Sequence, residues 1–344
     1  MATGWLGVDW KTPEYSKSKI NLAGDAIKNS DFSKMDEKTA LSILSNWRSA
    51  HAYPMQIFYG TAKRYARNSL VAQRLKRLDS ITAKLQRYPT MRLSRMQDLG
   101  GCRIIVDSIQ DLEKVRLKYK NSRMRHTLIR EDDYIANPKP DGYRGVHMVY
   151  SFRSRMPDSP YNELSIEVQI RTSVQHLWAT AIETLSLPLK SNLKAGLGDK
   201  RVLRYMELIA ALMAEKEGTP IGVHAPGSIE AIRSELRTFS DIDIISILQA
   251  YRVTVKNIEQ RYKSGYCLLI IDLEERSVLI HPYKQSEFEE ATGAYLYWEQ
   301  VKRETTNAVL VSVSGVIKLR KAYPNYFADV SDFIDVCSEL LGQR

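Results

Sequence analysis

The chain has 344 residues, 44% of them hydrophobic and 26% charged, with a formal net charge of +10. This length allows two domains, and the composition is that of an ordinary folded chain. No run of about 18 uncharged apolar residues occurs, which argues against a membrane-spanning helix.

Residues Met1 to Lys19 carry Trp5, Asp9, Trp10, Lys11 and Glu14 where a signal peptide would have its apolar core, so a cytoplasmic protein is expected. Cys102, Cys267 and Cys337 stand alone with no CxxC pair, and they read as buried or incidental thiols rather than a disulfide framework or zinc site. The charge is unevenly spread. Residues 1–190 hold 31 Lys and Arg against 19 Asp and Glu, a net of +12, whereas residues 191–344 hold 19 against 21, a net of −2. So basic a first part suits a polyanion, either a nucleoside triphosphate or a nucleic acid, and bulk charge does not separate the two.

In chain order, residues 20–90 read as largely helical, with Phe58, Ala62, Tyr65, Ala66 and Leu70, then Leu75, Leu78, Ile81 and Leu85 at helical spacing before Pro89. Strands are expected at Cys102 to Val106, Thr127 to Arg130, Val146 to Phe152 and Leu164 to Ile170, and helices at Ile109 to Tyr119 and Thr172 to Leu185. Such alternation predicts an α+β fold, a mixed sheet flanked by helices. Asp199 to Glu217 is again helical, and the Gly- and Pro-rich stretch 218–228 reads as a linker. Beyond it the pattern predicts a smaller α+β unit. It has helix from Ile229 to Glu259, strands near Cys267–Asp272, Ser277–Pro282 and Ala308–Val313, helix from Glu287 to Glu304, and a last helix from about Val330.

Four segments of the basic part carry the chemistry. Lys76, Ser80 and Lys84, following Arg74, are four apart and would share one helix face able to grip a triphosphate. Asp98 precedes a buried strand that contains Arg103, and Gly100 and Gly101 permit close approach, which suits a metal ligand at a sheet edge. The loop from Asp132 to His147 offers Lys139 and Arg144 for phosphates and Tyr143 for stacking on a base. In the strand Ile166–Arg171, Glu167, Gln169 and Arg171 fall on one face.

Together, in this order, the segments between Arg74 and Glu183 resemble the synthetase domain of the RelA/SpoT family, which makes the alarmone (p)ppGpp. The resemblance implies a nucleotidyltransferase-like fold and a pyrophosphokinase that uses ATP as donor and Mg²⁺. It implies Asp98 and Glu167 as metal-binding and catalytic carboxylates, and Arg74, Lys76, Ser80, Lys84 and Arg103 as ATP-holding positions. It gives Tyr143 the base-stacking role, with Lys139, Arg144, His147, Gln169 and Arg171 around the acceptor. None of the six histidines is followed by Asp, so the His-Asp hydrolase motif of the long enzymes is missing and no hydrolysis is expected.

The run Gln175 to Thr184 and the tail Ala322 to Asp329 are similar to the fused, CapRel-type toxic small alarmone synthetases, a toxin–antitoxin branch linked to anti-phage defence. That similarity implies a translation-blocking enzyme that modifies the 3′-CCA end of tRNA. It also implies a C-terminal antitoxin part that can sense a phage protein; Tyr323 and Tyr326 flank a Pro-Asn turn, so their rings either occupy and block the ATP slot or serve as packing residues. The expected organisation is a helical extension over 1–60, a pyrophosphokinase domain over 61–217, the linker 218–228 and a regulatory domain over 229–344, acting as a monomer. GDP or GTP as acceptor stays open, since Tyr143 can stack on guanine or adenine, and so does a non-catalytic RNA-binding role on the same fold. The cluster Arg116, Lys118, Lys120, Arg123 and Arg125 is either an acceptor-reading patch or a solvated helix face.

Overall fold

The computed structural model describes residues 10–186, 193, 198–239, 244, 248, 254–256, 265–272, 274–275, 277–301, 306–313 and 330–342. Three helices come first, α1 (Lys17–Asn29), α2 (Glu37–Ala50) and α3 (Ala52–Tyr65). Ser16 and Asp36 cap the first two, each side chain accepting from a first-turn N–H. Their apolar stripes, such as Ile43, Leu44 and Trp47 on α2 and Met55, Phe58 and Ala62 on α3, are buried in the main core.

The expected helical stretch is interrupted. Leu70–Leu75 is a strand, β1, and helix α4 runs only from Leu78 to Arg87. The apolar spacing there fits a helix locally, but β1 is hydrogen-bonded to strands on both sides, and ladder pairing overrides the local period. Lys76 therefore lies on the turn before α4, not on the helix face that carries Ser80 and Lys84.

The remaining elements of the first part are β2 (Gly100–Val106), α5 (Ile109–Lys120), β3 (Thr127–Asp133), β4 (Val146–Ser151), β5 (Ser165–Thr172), α6 (Ser173–Leu185) and α7 (Lys200–Lys216). Thr172 and Gln175 form a reciprocal capping box at the start of α6. The second part contributes α8 (Ile229–Arg237), β6 (Thr254–Lys256), β7 (Gly265–Asp272), β8 (Ser277–Tyr283), α9 (Phe288–Val301), β9 (Thr306–Val313) and α10 (Ser331–Leu340). The helix expected from Ile229 to Glu259 is shorter, since α8 ends at Arg237 and residues 254–256 are strand.

Among the described residues the strands form one mixed sheet of nine, in the order β3-β4-β5-β2-β1-β9-β7-β8-β6. β2 and β5 are parallel, as are β6 and β8, and the other pairs are antiparallel. The strands after residue 228 thus continue the first sheet, joined where Gln73 pairs with Ser312 and Arg74 with Val311. One face is covered by α1–α3, α5 and α9, and a single core runs through Phe58, Ile104, Val168, Leu268, Tyr295 and Leu310. A second core joins α6, α7, α8 and α10 through Trp178, Met206, Ile232 and Phe333. No helix among the described residues is long and apolar enough to cross a membrane.

The loop between β3 and β4 is pressed against α7. Gly142 has φ +87°, and a Cβ there would come within 2.7 Å of Ala210 Cβ. Gly142→Ala is therefore expected to destabilise the protein by about 1–3 kcal/mol through backbone strain and overpacking. Urea unfolding at neutral pH measures this.

Candidate active site

Register brings the polar residues together. Arg74 pairs with Gly101 and Gly101 with Glu167, while Arg103 pairs with Gln169 and Gln169 with His147. Residues opposite one another in adjacent strands share a face. The face away from the helical core therefore carries Arg74, Arg103, Glu167, Gln169, Arg171 and His147. Gly101 leaves room between Arg74 and Glu167, since a Cβ there would lie 3.2 Å from the Glu167 carbonyl oxygen.

Asp98 stands in the segment leading into β2. Its Oδ2 accepts from Lys76 Nζ at 3.0 Å and from Lys84 Nζ at 2.8 Å. Its Oδ1 is buried and has no partner among the described residues. Burial opposes the charge on Asp98, but Lys76 and Lys84 outweigh it and hold the carboxyl below its ordinary range, with Glu167 acting in the opposite sense. The two carboxylates therefore feel one another.

Glu167 sits in a relay of hydrogen bonds. One oxygen is 2.9 Å from His147 Nδ1, and the other accepts from Gln169 Nε2 at 2.7 Å. The other ring nitrogen of His147 meets the Tyr143 hydroxyl, which also accepts from Arg171 at 2.7 and 3.1 Å. Burial would raise the Glu167 pKa, yet the His147 and Gln169 contacts and the charge of Lys76 hold it well below the carboxylate range. The sequence spacing marked Glu167, Gln169 and Arg171, but not the bonding of His147 to Glu167.

The acceptor-loop residues divide. Tyr143 is buried, its ring edge-on to Tyr134 and His147 and its phenol pushed up by burial against the pull of Arg171. Lys139 Nζ lies 4.3 Å from the Tyr134 ring centre and 5.0 Å from that of Tyr143. Tyr134, half-buried, was not singled out in the sequence. Arg144 points elsewhere, donating to the carbonyls of Gly142 at 2.8 Å and Pro220 at 3.0 Å, with burial lowering its pKa to about 10. Ser80 is half-buried one turn before Lys84 on α4. Of the second basic cluster, Arg116 is tied to Glu113, Glu131 and Asp133, Lys120 to Glu131, and Lys118 to the Tyr65 carbonyl. Arg123 and Arg125 are exposed. Tyr323 and Tyr326 lie outside the described residues.

The donor set fits a magnesium ion. Mg²⁺ is usually held by one or two carboxylates together with substrate phosphates; Asp98 offers an unpartnered Oδ1, and Glu167 offers the remaining lone pairs of oxygens already bonded to His147 and Gln169.

Residues 73–186 match the family model described as the region found in RelA / SpoT proteins. The chain is 31% identical over 125 residues to GTP pyrophosphokinase YjbM of Bacillus subtilis (strain 168), covering 36% of this chain and 58% of that protein. It is 30% identical over 152 residues to GTP pyrophosphokinase YwaC of the same organism, covering 42% and 69%. The chain thus spans less than two thirds of the first of these relatives. Among solved structures it is similar to the small alarmone synthetase 1 from Bacillus subtilis bound to its product pppGpp, at 21% identity, covering 57% of this chain and 95% of that one, with a TM-score of 0.42.

The lowered Asp98 pKa has a consequence for acid stability. A depressed carboxyl stabilises the fold above its unfolded pKa, near 3.8, and that contribution is lost as pH falls through the folded value. Denaturant unfolding between pH 7 and pH 3 is expected to show the stability difference between wild type and Asp98→Asn constant above about pH 3.8 and moving against the wild type below it.

Proposed function

The chain belongs to the RelA/SpoT family, and on that premise we propose that it transfers pyrophosphate from ATP to a ribose 3′-hydroxyl. The observation that carries this reading is that Asp98 and Glu167 stand at the same end of the parallel strands β2 and β5, with Lys76 and Lys84 on Asp98 and with Arg74 on β1 and Arg103 on β2 beside them. Such transfer depends on positioning and on neutralising the triphosphate, which cations around a carboxylate pair can do. A magnesium ion held by Asp98 and Glu167 would, when bound, add charge neutralisation at the donor phosphates.

The acceptor oxygen forms a bond to the β-phosphorus, the bond from that phosphorus to the α–β bridging oxygen breaks, and AMP leaves. Lys76, Lys84, Arg74 and Arg103 hold the triphosphate. Glu167, with His147 and Gln169 fixing its two oxygens, orients the hydroxyl and takes its proton as the new bond forms.

For the acceptor we propose the 3′-CCA end of tRNA, which would block translation. Its support is the likeness of the run Gln175 to Thr184 to the fused toxic synthetases, and the +12 charge of residues 1–190 accommodates such a polyanion. A free guanine nucleotide is the second reading, favoured by relatives named GTP pyrophosphokinases. Restraint of the enzyme by Tyr323 and Tyr326, relieved by a phage protein, belongs to the same proposal. Its support is that residues 314–329 follow β9, whose Val311 pairs with Arg74 on β1.

In an assay of the purified enzyme freed of its restraint by Tyr323→Ala with Tyr326→Ala, given γ-labelled ATP and Mg²⁺, label is expected in tRNA, and adding Glu167→Gln is expected to reduce AMP release by about 10²–10⁴-fold while remaining folded. Label in GDP alone would select the second reading, and no AMP release with any acceptor would overturn both. Tyr323→Ala with Tyr326→Ala is expected to raise turnover, and an unchanged rate would remove the restraint. Truncation at residue 322 is a poorer probe because it also deletes α10, whose Phe333 and Cys337 are core residues.

A further inference from the structure

The turn that carries Lys76 into α4 is held from both sides by residues far from it in sequence. Arg48, on α2, is fully buried and donates from Nε to the Lys76 carbonyl at 2.6 Å. Its guanidinium carbon lies 4.3 Å from the ring centre of Tyr295 on α9, and its two terminal nitrogens have no hydrogen-bond partner among the described residues. Tyr295 is itself fully buried, and its hydroxyl accepts from the Leu78 N–H at 3.3 Å.

Leu78 is the first residue of α4, so its N–H is one of the amides that a helix leaves unbonded. The residue at the cap position, Arg77, makes no side-chain capping bond. Tyr295 thus supplies, from a remote helix, an acceptor for a first-turn amide of a helix whose own cap residue supplies none. The same ring faces the guanidinium of Arg48, an arrangement that is strongest when desolvated. Without that ring, a buried cation would retain little beyond one carbonyl.

From this geometry we infer that Arg48 and Tyr295 are positioning residues for ATP: they fix the Lys76–Leu78 turn, and through it Lys76, Ser80 and Lys84. The inference rests on the reading of those side chains as triphosphate ligands. It assigns to the second half of the chain a constructive part in the donor site, separate from any restraint by Tyr323 and Tyr326. Lys76 leaves the sheet here, its N–H donating to the Leu99 carbonyl at 2.8 Å and its Nζ to Asp98 at 3.0 Å, so the turn that follows sets where the cations of α4 lie relative to it. A loosened turn would spread the donor cations without altering the acceptor loop.

The test uses the full chain. Tyr295→Phe removes the hydroxyl, and with it the bond to Leu78 and the contact with Glu299, whereas Tyr295→Leu removes the ring face as well. KM for ATP is expected to rise about five-fold in the first and ten-fold or more in the second. In both, kcat and the KM for the acceptor should stay within about two-fold, and amide exchange across residues 76–87 should quicken. Unchanged exchange in both variants, or quickened exchange with unchanged KM for ATP, would overturn the inference. Tyr295→Phe keeps it open to refutation should Tyr295→Leu fail to fold. Lys76→Ala separates the two levels. If it leaves ATP binding intact, the ligand reading of Lys76 is what has failed, while the exchange data still report on the turn.

Discussion

The parallel pairing of β2 with β5 is the constraint from which the site follows. It aligns Gly101 with Glu167 and Arg103 with Gln169, so that Asp98, just before β2, and the polar face of β5 meet at one edge. Parallel neighbours cannot be joined by a tight turn and need a crossover. Here the crossover includes α5, β3 and β4, and the β3–β4 connection is the loop proposed to hold the acceptor. Antiparallel β4 then brings His147 opposite Gln169 and within reach of Glu167. One pairing decision thus juxtaposes the residues proposed for donor, metal and acceptor.

The two carboxylates are kept ionised by different means. Asp98 is neutralised by two lysines, one from the turn after β1 and one from α4. Glu167 relies on His147 and Gln169, with the Lys76 charge behind them. Buried charge is tolerable when paired and hydrogen-bonded. The free Oδ1 of Asp98 is the point where such compensation stops, which is why the proposed magnesium ion is placed there. The relay from Glu167 through His147 and Tyr143 to Arg171 also fixes the orientation of the imidazole by a hydroxyl on one nitrogen and a carboxylate on the other.

The second half of the chain is built into the first. β9 extends the sheet beside β1, Phe288 of α9 packs on Trp10 and Tyr266, and Tyr295 covers Arg48. Arg144 is coupled in another way, its guanidinium bound to the Pro220 carbonyl in the stretch that composition marks as a linker. Donor and acceptor sides thus each have a contact with chain beyond residue 217.

Much of this was legible in the sequence, because it depends on local rules. Period-two alternation marks Glu167, Gln169 and Arg171 on one face of β5, and apolar runs mark β2, β4, β7, β8 and β9. The helix boundaries follow from caps such as Asp199 before α7 and Thr172 before α6. Strand β1 was hidden, since its leucines continue a helical spacing and only partners on both sides made it a strand. Arg48 left a faint trace, a cation on the stripe of Ala40, Ile43, Leu44 and Trp47, but nothing local names its partner Tyr295. The sequence by itself determined which residue types could do phosphoryl chemistry and in what order they occur. Only the tertiary structure decided that Arg144 turns from the site, that His147 joins Glu167, and that the nine strands share one sheet. The reason is physical: spacing sets which face a side chain takes, whereas contacts between distant segments are chosen by packing and by the need to satisfy buried polar groups.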